Sequence, residues 1–354
     1  MPIDRITITH VRIPLVEPFR ISSGAVAEKD GIVVAINIDG LTGYGESSPM
    51  AGSFYGPDTP ESCWQQLRDV LCPATAAGNL DLDSLPGSNF AKVGIETALW
   101  DIDAQRRGVP LHRLLGGTRD SAPSGLAVGL YDDTRDLLRA IERHMVEGYK
   151  RVKIKIERGR DVELVRAVRA EFGDIPLMVD ANGDYTLADA GVFQRLDEFG
   201  LMMYEQPLKG HMIAESAELS RMVRTPICLD ESLETPEHVE RAIELGALRI
   251  ANIKIQRVGG FRNALRVYEM CRKAGLDIWV GTMPELGIGC IQGAALATLE
   301  GCTYPTDVES SLRWFVDDIV DPLITVENGM LPMRPYRVDH AKIAKYKVAE
   351  WSTR

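Results

Sequence analysis

The chain has 354 residues, 45% of them hydrophobic and 26% charged, which is the make-up of a soluble globular protein long enough for two domains. Forty Lys and Arg against 51 Asp and Glu leave a net charge of −11, spread without long runs, so neither nucleic acid nor an anionic membrane surface is an expected partner. There is no apolar run of membrane-spanning length, and no signal peptide opens the chain, so a cytoplasmic location is expected. The six cysteines (Cys63, Cys72, Cys228, Cys271, Cys290 and Cys302) form no CxxC pair and read as reduced core residues.

Up to about residue 120, strands come first and helices after. Residues 6–14 alternate, 31–39 form a second strand-like run, Asp39-Gly40 marks a turn and 41–46 return as a third strand. Helical patterns follow over 61–71 and 91–107, so residues 1–120 are expected to form an α+β capping domain. Two segments read as loops, 18–24 with Phe19 and Arg20, and 47–58 with Phe54 and Tyr55. They suit a specificity lid, but composition alone favours plain surface loops.

After Leu115-Gly116-Gly117 the rhythm changes to strand and helix in turn. A strand over 126–130 and a helix over 134–147 lead into five short apolar runs, each with a charged residue at or near its end. The marked charges, Lys155, Asp180, Glu205, Asp230 and Lys254, recur every 24 or 25 residues, with helix-like segments between the runs. A helix over 261–274, a strand over 278–281, a helix over 288–299 and a less regular strand near 303–308 bring the strands to eight. The predicted fold is α/β: a (β/α)8-type, TIM-like barrel over 121–318 behind the N-terminal α+β cap, with 319–354 returning to that cap.

A buried parallel strand should be apolar throughout, so charges at strand ends in phase point to the barrel mouth. Asp180, Glu205 and Asp230 offer oxygen ligands only, which favours Mg²⁺, with Mn²⁺ as the alternative. No histidine falls at a predicted strand end, which argues against zinc. Lys153 and Lys155, two apart, point to one face, where two ammoniums depress each other's pKa and free one as a base. Lys254 approaches from the far side. The arrangement suits removal of the proton α to a carboxylate, with a metal stabilising the resulting enediolate.

Lys153-Ile154-Lys155, Asp180-Ala181-Asn182, Glu205-Gln206-Pro207, Asp230-Glu231-Ser232, and Lys254 followed by Val258-Gly259-Gly260 together resemble the enolase superfamily, in its muconate-lactonizing-enzyme subgroup. Pro18-Phe19 and Gly43-Tyr44-Gly45-Glu46 extend the resemblance to the first domain. The mandelate-racemase-like subgroup would need a histidine near the seventh strand, where this chain has Gly281-Thr282-Met283-Pro284-Glu285. The resemblance implies that Asp180, Glu205 and Asp230 bind Mg²⁺. It makes Lys155 and Lys254 the acid/base pair, and has Lys153 hold the substrate carboxylate and tune Lys155.

Members of the subgroup racemise N-acylamino acids, epimerise dipeptides, make o-succinylbenzoate, dehydrate hydroxyprolines or close lactones, and they often form homo-oligomers. The segments 283–289 and 305–311 look most like the N-acylamino acid racemase and o-succinylbenzoate synthase branch, although Pro284 departs from the usual leucine. The expectation is a racemase or epimerase of an amino-acid derivative acting on a small-molecule carboxylate. Syn β-elimination or cycloisomerisation is the alternative. A Schiff-base aldolase using Lys155 and a non-catalytic ligand-binding barrel are readings from other classes. Candidate substrate-binding residues are Arg20, Phe54, Asn182, Glu285, Asp307 and Glu309. Asp307 and Glu309 either hold a substrate ammonium or pair locally.

Overall fold

The computed structural model describes residues 2–21, 24–52 and 56–353. Three antiparallel strands open the chain: β1 (Arg5–Ile21), β2 (Gly24–Ile38) and β3 (Leu41–Ser47). The last strand, Lys347–Ser352, pairs with the free edge of β1. Alternation puts Ile6, Ile8, Val34 and Ile36 on one face of this sheet, against Ile95, Ala98 and Ile102 of helix α1 (Asn89–Arg107). The Ser88 side chain caps that helix by accepting from the Ala91 N–H, and Gly108, at φ 65°, ends it in the left-handed region. Sheet and helix approach so closely that a Cβ on Gly45 would stand 1.9 Å from the Gly94 carbonyl oxygen.

Of the loop expected over 18–24, residues 18–21 and 24 are strand instead, and 22–23 lie outside the described residues. Phe19 pairs with Val26, Arg20 with Ala25 and Ile21 with Gly24, so β1 and β2 stay paired as far as Ile21 and Gly24. Pro18 sits where the register shifts between Pro14 and Phe19, and a bulge there needs no donor from it.

The second unit is a parallel sheet running, in spatial order, from β10 back to β4. Its strands are β4 (Leu126–Val128), β5 (Val152–Lys155), β6 (Leu177–Asp180), β7 (Tyr204–Glu205), β8 (Ile227–Leu229), β9 (Ile250–Ile253) and β10 (Asp277–Val280). Helices pack outside, including α2 (Phe261–Lys273) and α3 (Gly287–Leu296). The strands are short and apolar because both faces are buried. Side chains two apart along them stack in layers inside the barrel. Met178, Met203, Cys228, Ile250 and Trp279 form an apolar floor. Two residues further on stand Asp180, Glu205, Asp230, Asn252 and Gly281.

The eighth strand expected near 303–308 is not a regular strand. The segment bridges β10 and the residues leading into β4 through Ile278 with Cys302 and Ser124 with Thr306. Pro305 has no N–H to donate, so the ladder is interrupted, and the Thr306 side chain donates instead to the Val280 carbonyl at 2.6 Å. The barrel is closed all the same, by Thr303 N–H on Ile278 O at 3.0 Å and Gly125 N–H on Thr306 O at 2.8 Å.

Two carboxylates of the first unit cap helices of the second. Glu96 accepts from the Phe261 and Arg262 N–H groups at 2.7 and 3.0 Å, at the start of α2. Glu46 accepts from Leu286 and Gly289 at 2.8 Å each, at the start of α3. The first turn of a helix has unpaired N–H groups, and here the neighbouring unit supplies the acceptors.

Candidate active site

Register places the charged residues together. Lys155 pairs with Asp180, and Asp180 with Glu205, so three side chains leave adjacent strands at one level. Glu205 pairs with Cys228 and Cys228 with Ile250, so Asp230 and Lys254 stand two and four residues beyond that level. Strand tilt in a closed barrel makes up this stagger. With Lys153, two before Lys155 on the same strand, these make six groups, all almost fully buried, from 0% exposure for Glu205 and Asp230 to 7% for Lys155.

Each outer carboxylate of the trio carries a lysine. Lys155 Nζ lies 2.5 Å from Asp180 Oδ2, and Lys254 Nζ lies 2.8 Å from Asp230 Oδ2. Glu205 stands between them on β7, 3.2 Å from Lys153 Nζ through Oε2 and 2.8 Å from Asn252 Nδ2 through Oε1. Arg257 Nε lies 3.3 Å from Asp230 Oδ1.

Burial pushes the Asp230 carboxyl up, but Lys254 and Arg257 outweigh it and hold the group well below the usual range. Burial and the Asp180 charge push Glu205 up to about 8, against the pull of Lys153. The Lys153 ammonium is shifted as well. Burial lowers its pKa, but Asp307, Glu205 and Asp180 together more than offset that and raise it.

Among the described residues no three carboxylate or imidazole side chains are drawn round one point at ligand distance, because the ammoniums stand between them. The donor set still fits a hard divalent cation. It offers oxygen only, and Glu205 Oε2 and Asp230 Oδ1 are buried and, beyond the ion contacts with Lys153 and Arg257, accept no well-formed hydrogen bond among the described residues. The turns leaving β6 and β7 are sharp, since Asn182 and Gln206 adopt φ of 42° and 37°, uncommon for side chains other than glycine.

The other candidates are placed variously. Asn182 lies beside the trio; its N–H donates to Asp180 Oδ1 and its amide to Glu231 Oε1, at 2.9 and 3.0 Å. Glu285 is buried in the loop after β10, where its Oε2 accepts from the Met283 N–H at 3.1 Å. Asp307 takes Lys153 on Oδ2 and Arg151 on Oδ1, the latter at 2.7 Å. Glu309 accepts from the Ala127 N–H at 2.9 Å and lies 3.5 Å from Arg313. Arg20 lies near the end of β1, spread over both oxygens of Asp132 at 2.9 and 3.0 Å. Phe54 lies outside the described residues.

Asn252 and Arg257 escaped the sequence reading as site residues, and Phe19 entered it only as part of a segment suited to a specificity lid. The first two are legible in hindsight, two before and three after Lys254. The Phe19 ring centre lies 5.9 Å from Lys155 Nζ, a contact no local pattern announces. A cavity of about 690 Å³, lined by Met50, Glu231, Thr235, Arg257 and Met283 among others, opens on the Arg257 side.

Residues 3–116 match the family model of the mandelate racemase / muconate lactonizing enzyme N-terminal domain, and 136–335 match the enolase C-terminal domain-like family. The chain is 42% identical to an o-succinylbenzoate synthase of Bacillus subtilis (strain 168), over 93% of this chain and 91% of that one. It is 39% identical to an N-succinylamino acid racemase of Amycolatopsis sp, over 94% and 93% of the two chains. A solved enolase-superfamily structure from Listeria innocua Clip11262 superposes with a TM-score of 0.94 over 99% of both chains, at 31% identity. With this site at the mouth of this barrel, the chain belongs to the enolase superfamily, as an enzyme of its mandelate racemase/muconate lactonizing enzyme family.

Proposed function

We propose that this enzyme racemises an N-acylamino acid, with N-succinyl derivatives as the leading class, by removing the proton α to the carboxylate on one face and returning one on the other. The observation that carries the reading is the pairing of Lys155 with Asp180 and of Lys254 with Asp230, on strands either side of the one that bears Glu205. A racemase needs a base on each face of the α-carbon, and these ammoniums flank the carboxylates from both sides.

Asp180, Glu205 and Asp230 would hold Mg²⁺ or Mn²⁺, which when bound stabilises the negative charge developing on the substrate carboxylate. Lys153, fixed by Asp307, is oriented to hold that carboxylate. Lys155 takes or gives a proton at Nζ on one face and Lys254 at Nζ on the other, one neutral while its partner is charged. Burial of the whole set excludes water from the carbanion's protonation. A Schiff base at Lys155 would leave the three carboxylates without a task.

A second reading is supported by the relatives named o-succinylbenzoate synthase: loss of water from a β-hydroxy carboxylate, for which a single lysine suffices. The two share proton removal and differ in what leaves. Proton NMR in D₂O with Mg²⁺, over N-succinyl and N-acyl amino acids, dipeptides and the o-succinylbenzoate precursor, separates them. Exchange with inversion at the α-carbon supports the racemase; an unsaturated product without inversion supports elimination. Proton removal from no compound in the presence of bound Mg²⁺ would refute both substrate classes.

A further inference from the structure

Gln256 lies in the turn Ile255–Val258, two residues after Lys254, and is 1% exposed. Both ends of its side-chain amide are used on backbone of the other unit. Its Oε1 accepts from the Ser48 N–H and its Nε2 donates to the Glu46 carbonyl, each at 2.9 Å. The same short segment is held from its other side by Lys29, which is 3% exposed and donates from Nζ to the Ser48 and Pro49 carbonyls at 3.1 Å each. The Glu46 carboxylate meanwhile caps α3, the helix that follows Glu285. The segment then runs into Met50, which lines the 690 Å³ cavity together with Arg257.

We infer that Gln256 is a positioning residue that sets the Lys254 ammonium and the cavity-lining segment from Met50 in one fixed registration. The inference rests on the reading of Lys254 as the base of one face. A neutral amide with a donor and an acceptor suits this role. It adds no charge beside Asp230, it cannot slide along the cap backbone, and it spans two segments that share no covalent connection nearby. Lys29 fixes the segment to the cap alone, whereas Gln256 joins it directly to the turn after Lys254.

The test compares Gln256→Leu, which fills similar space without hydrogen bonds, and Gln256→Glu, which keeps the acceptor for Ser48, with the wild type. Two readouts are taken. The first is backbone amide exchange of peptides covering 46–52, followed by mass spectrometry without substrate. Gln256→Leu is expected to speed it by about tenfold or more, and Gln256→Glu to return it toward the wild-type rate. The second is α-proton exchange from each enantiomer of an N-succinyl amino acid, with Lys254→Ala identifying the enantiomer that depends on Lys254. Gln256→Leu is expected to slow that enantiomer about tenfold or more and the other less than about threefold. Unchanged amide exchange overturns the tether, and equal slowing of both enantiomers overturns the positioning role. If the wild type exchanges neither enantiomer, the racemase reading falls and amide exchange alone decides the tether.

Discussion

Asp307 is bonded through Oδ2 to Lys153, inside the barrel and below the level of the carboxylate trio. Its other oxygen holds Arg151, and both cations also lie 5.1 Å from the Trp279 ring centre. One carboxylate thus serves two buried positive charges, and Asp307→Ala leaves both without it. The expected loss is about 3–5 kcal/mol of unfolding free energy in urea titration. A loss under about 1 kcal/mol would show that Trp279 and the trio suffice to hold the cations.

The trio and its lysines were legible because the fold repeats with the sequence: one βα unit every 24 or 25 residues returns Lys155, Asp180, Glu205, Asp230 and Lys254 to the barrel mouth. The partner of Lys153 was not, since Asp307 lies 154 residues away and sits next to a proline-broken strand. The capping of α2 and α3 by Glu96 and Glu46 was hidden for the same reason, because each helix borrows its acceptor from another unit. The mixed composition of 18–24 misled differently, since a long β-hairpin with a bulge at Pro18 carries such residues equally well.

Glu46 should impose a pH dependence on stability. Burial raises its pKa from 4.5 to about 7, with Glu285 adding and the Leu286 and Gly289 N–H groups and Lys29 opposing. The folded state therefore holds this proton more tightly than the unfolded chain. The stability it contributes is complete below pH 4.5 and is lost as pH rises through 7, a change of roughly 3 kcal/mol. Glu46→Gln should flatten the stability profile over that window by a similar amount. An unaltered slope would mean that Glu46 titrates alike in both states.

Gly45→Ala should be poorly tolerated. Its Cβ would stand 1.9 Å from the Gly94 carbonyl oxygen and 2.6 Å from Thr97 Oγ1, so helix α1 must move off the sheet. A destabilisation of about 1–3 kcal/mol or more is expected by thermal or urea unfolding. Gly40→Ala is the control for space, with nothing within 4 Å, although its φ of 78° adds strain of its own. Equal effects at the two sites would show that packing between α1 and β3 is not the cause.

Added Mg²⁺ should stabilise the fold independently of any substrate. A cation held by Asp180, Glu205 and Asp230 binds only the folded chain, adding about 2.7 kcal/mol at a hundred times its Kd. Differential scanning fluorimetry should show a saturable rise in Tm that Asp230→Asn abolishes. A rise that survives Asp230→Asn would place the cation elsewhere.

On the proposed mechanism Lys155 and Lys254 serve opposite faces of one α-carbon. The most direct test is α-proton exchange in D₂O from each pure enantiomer of an N-succinyl amino acid, with the wild type, Lys155→Ala and Lys254→Ala. The wild type should exchange and invert both enantiomers. Each variant should lose racemisation by about 10²–10⁴-fold, the cost of removing a general acid/base. Each should still exchange, without inversion, the one enantiomer whose proton faces the remaining lysine, and the two variants should differ in which enantiomer that is. Loss of exchange from the same enantiomer in both variants would contradict the claim, and would place both lysines on one face.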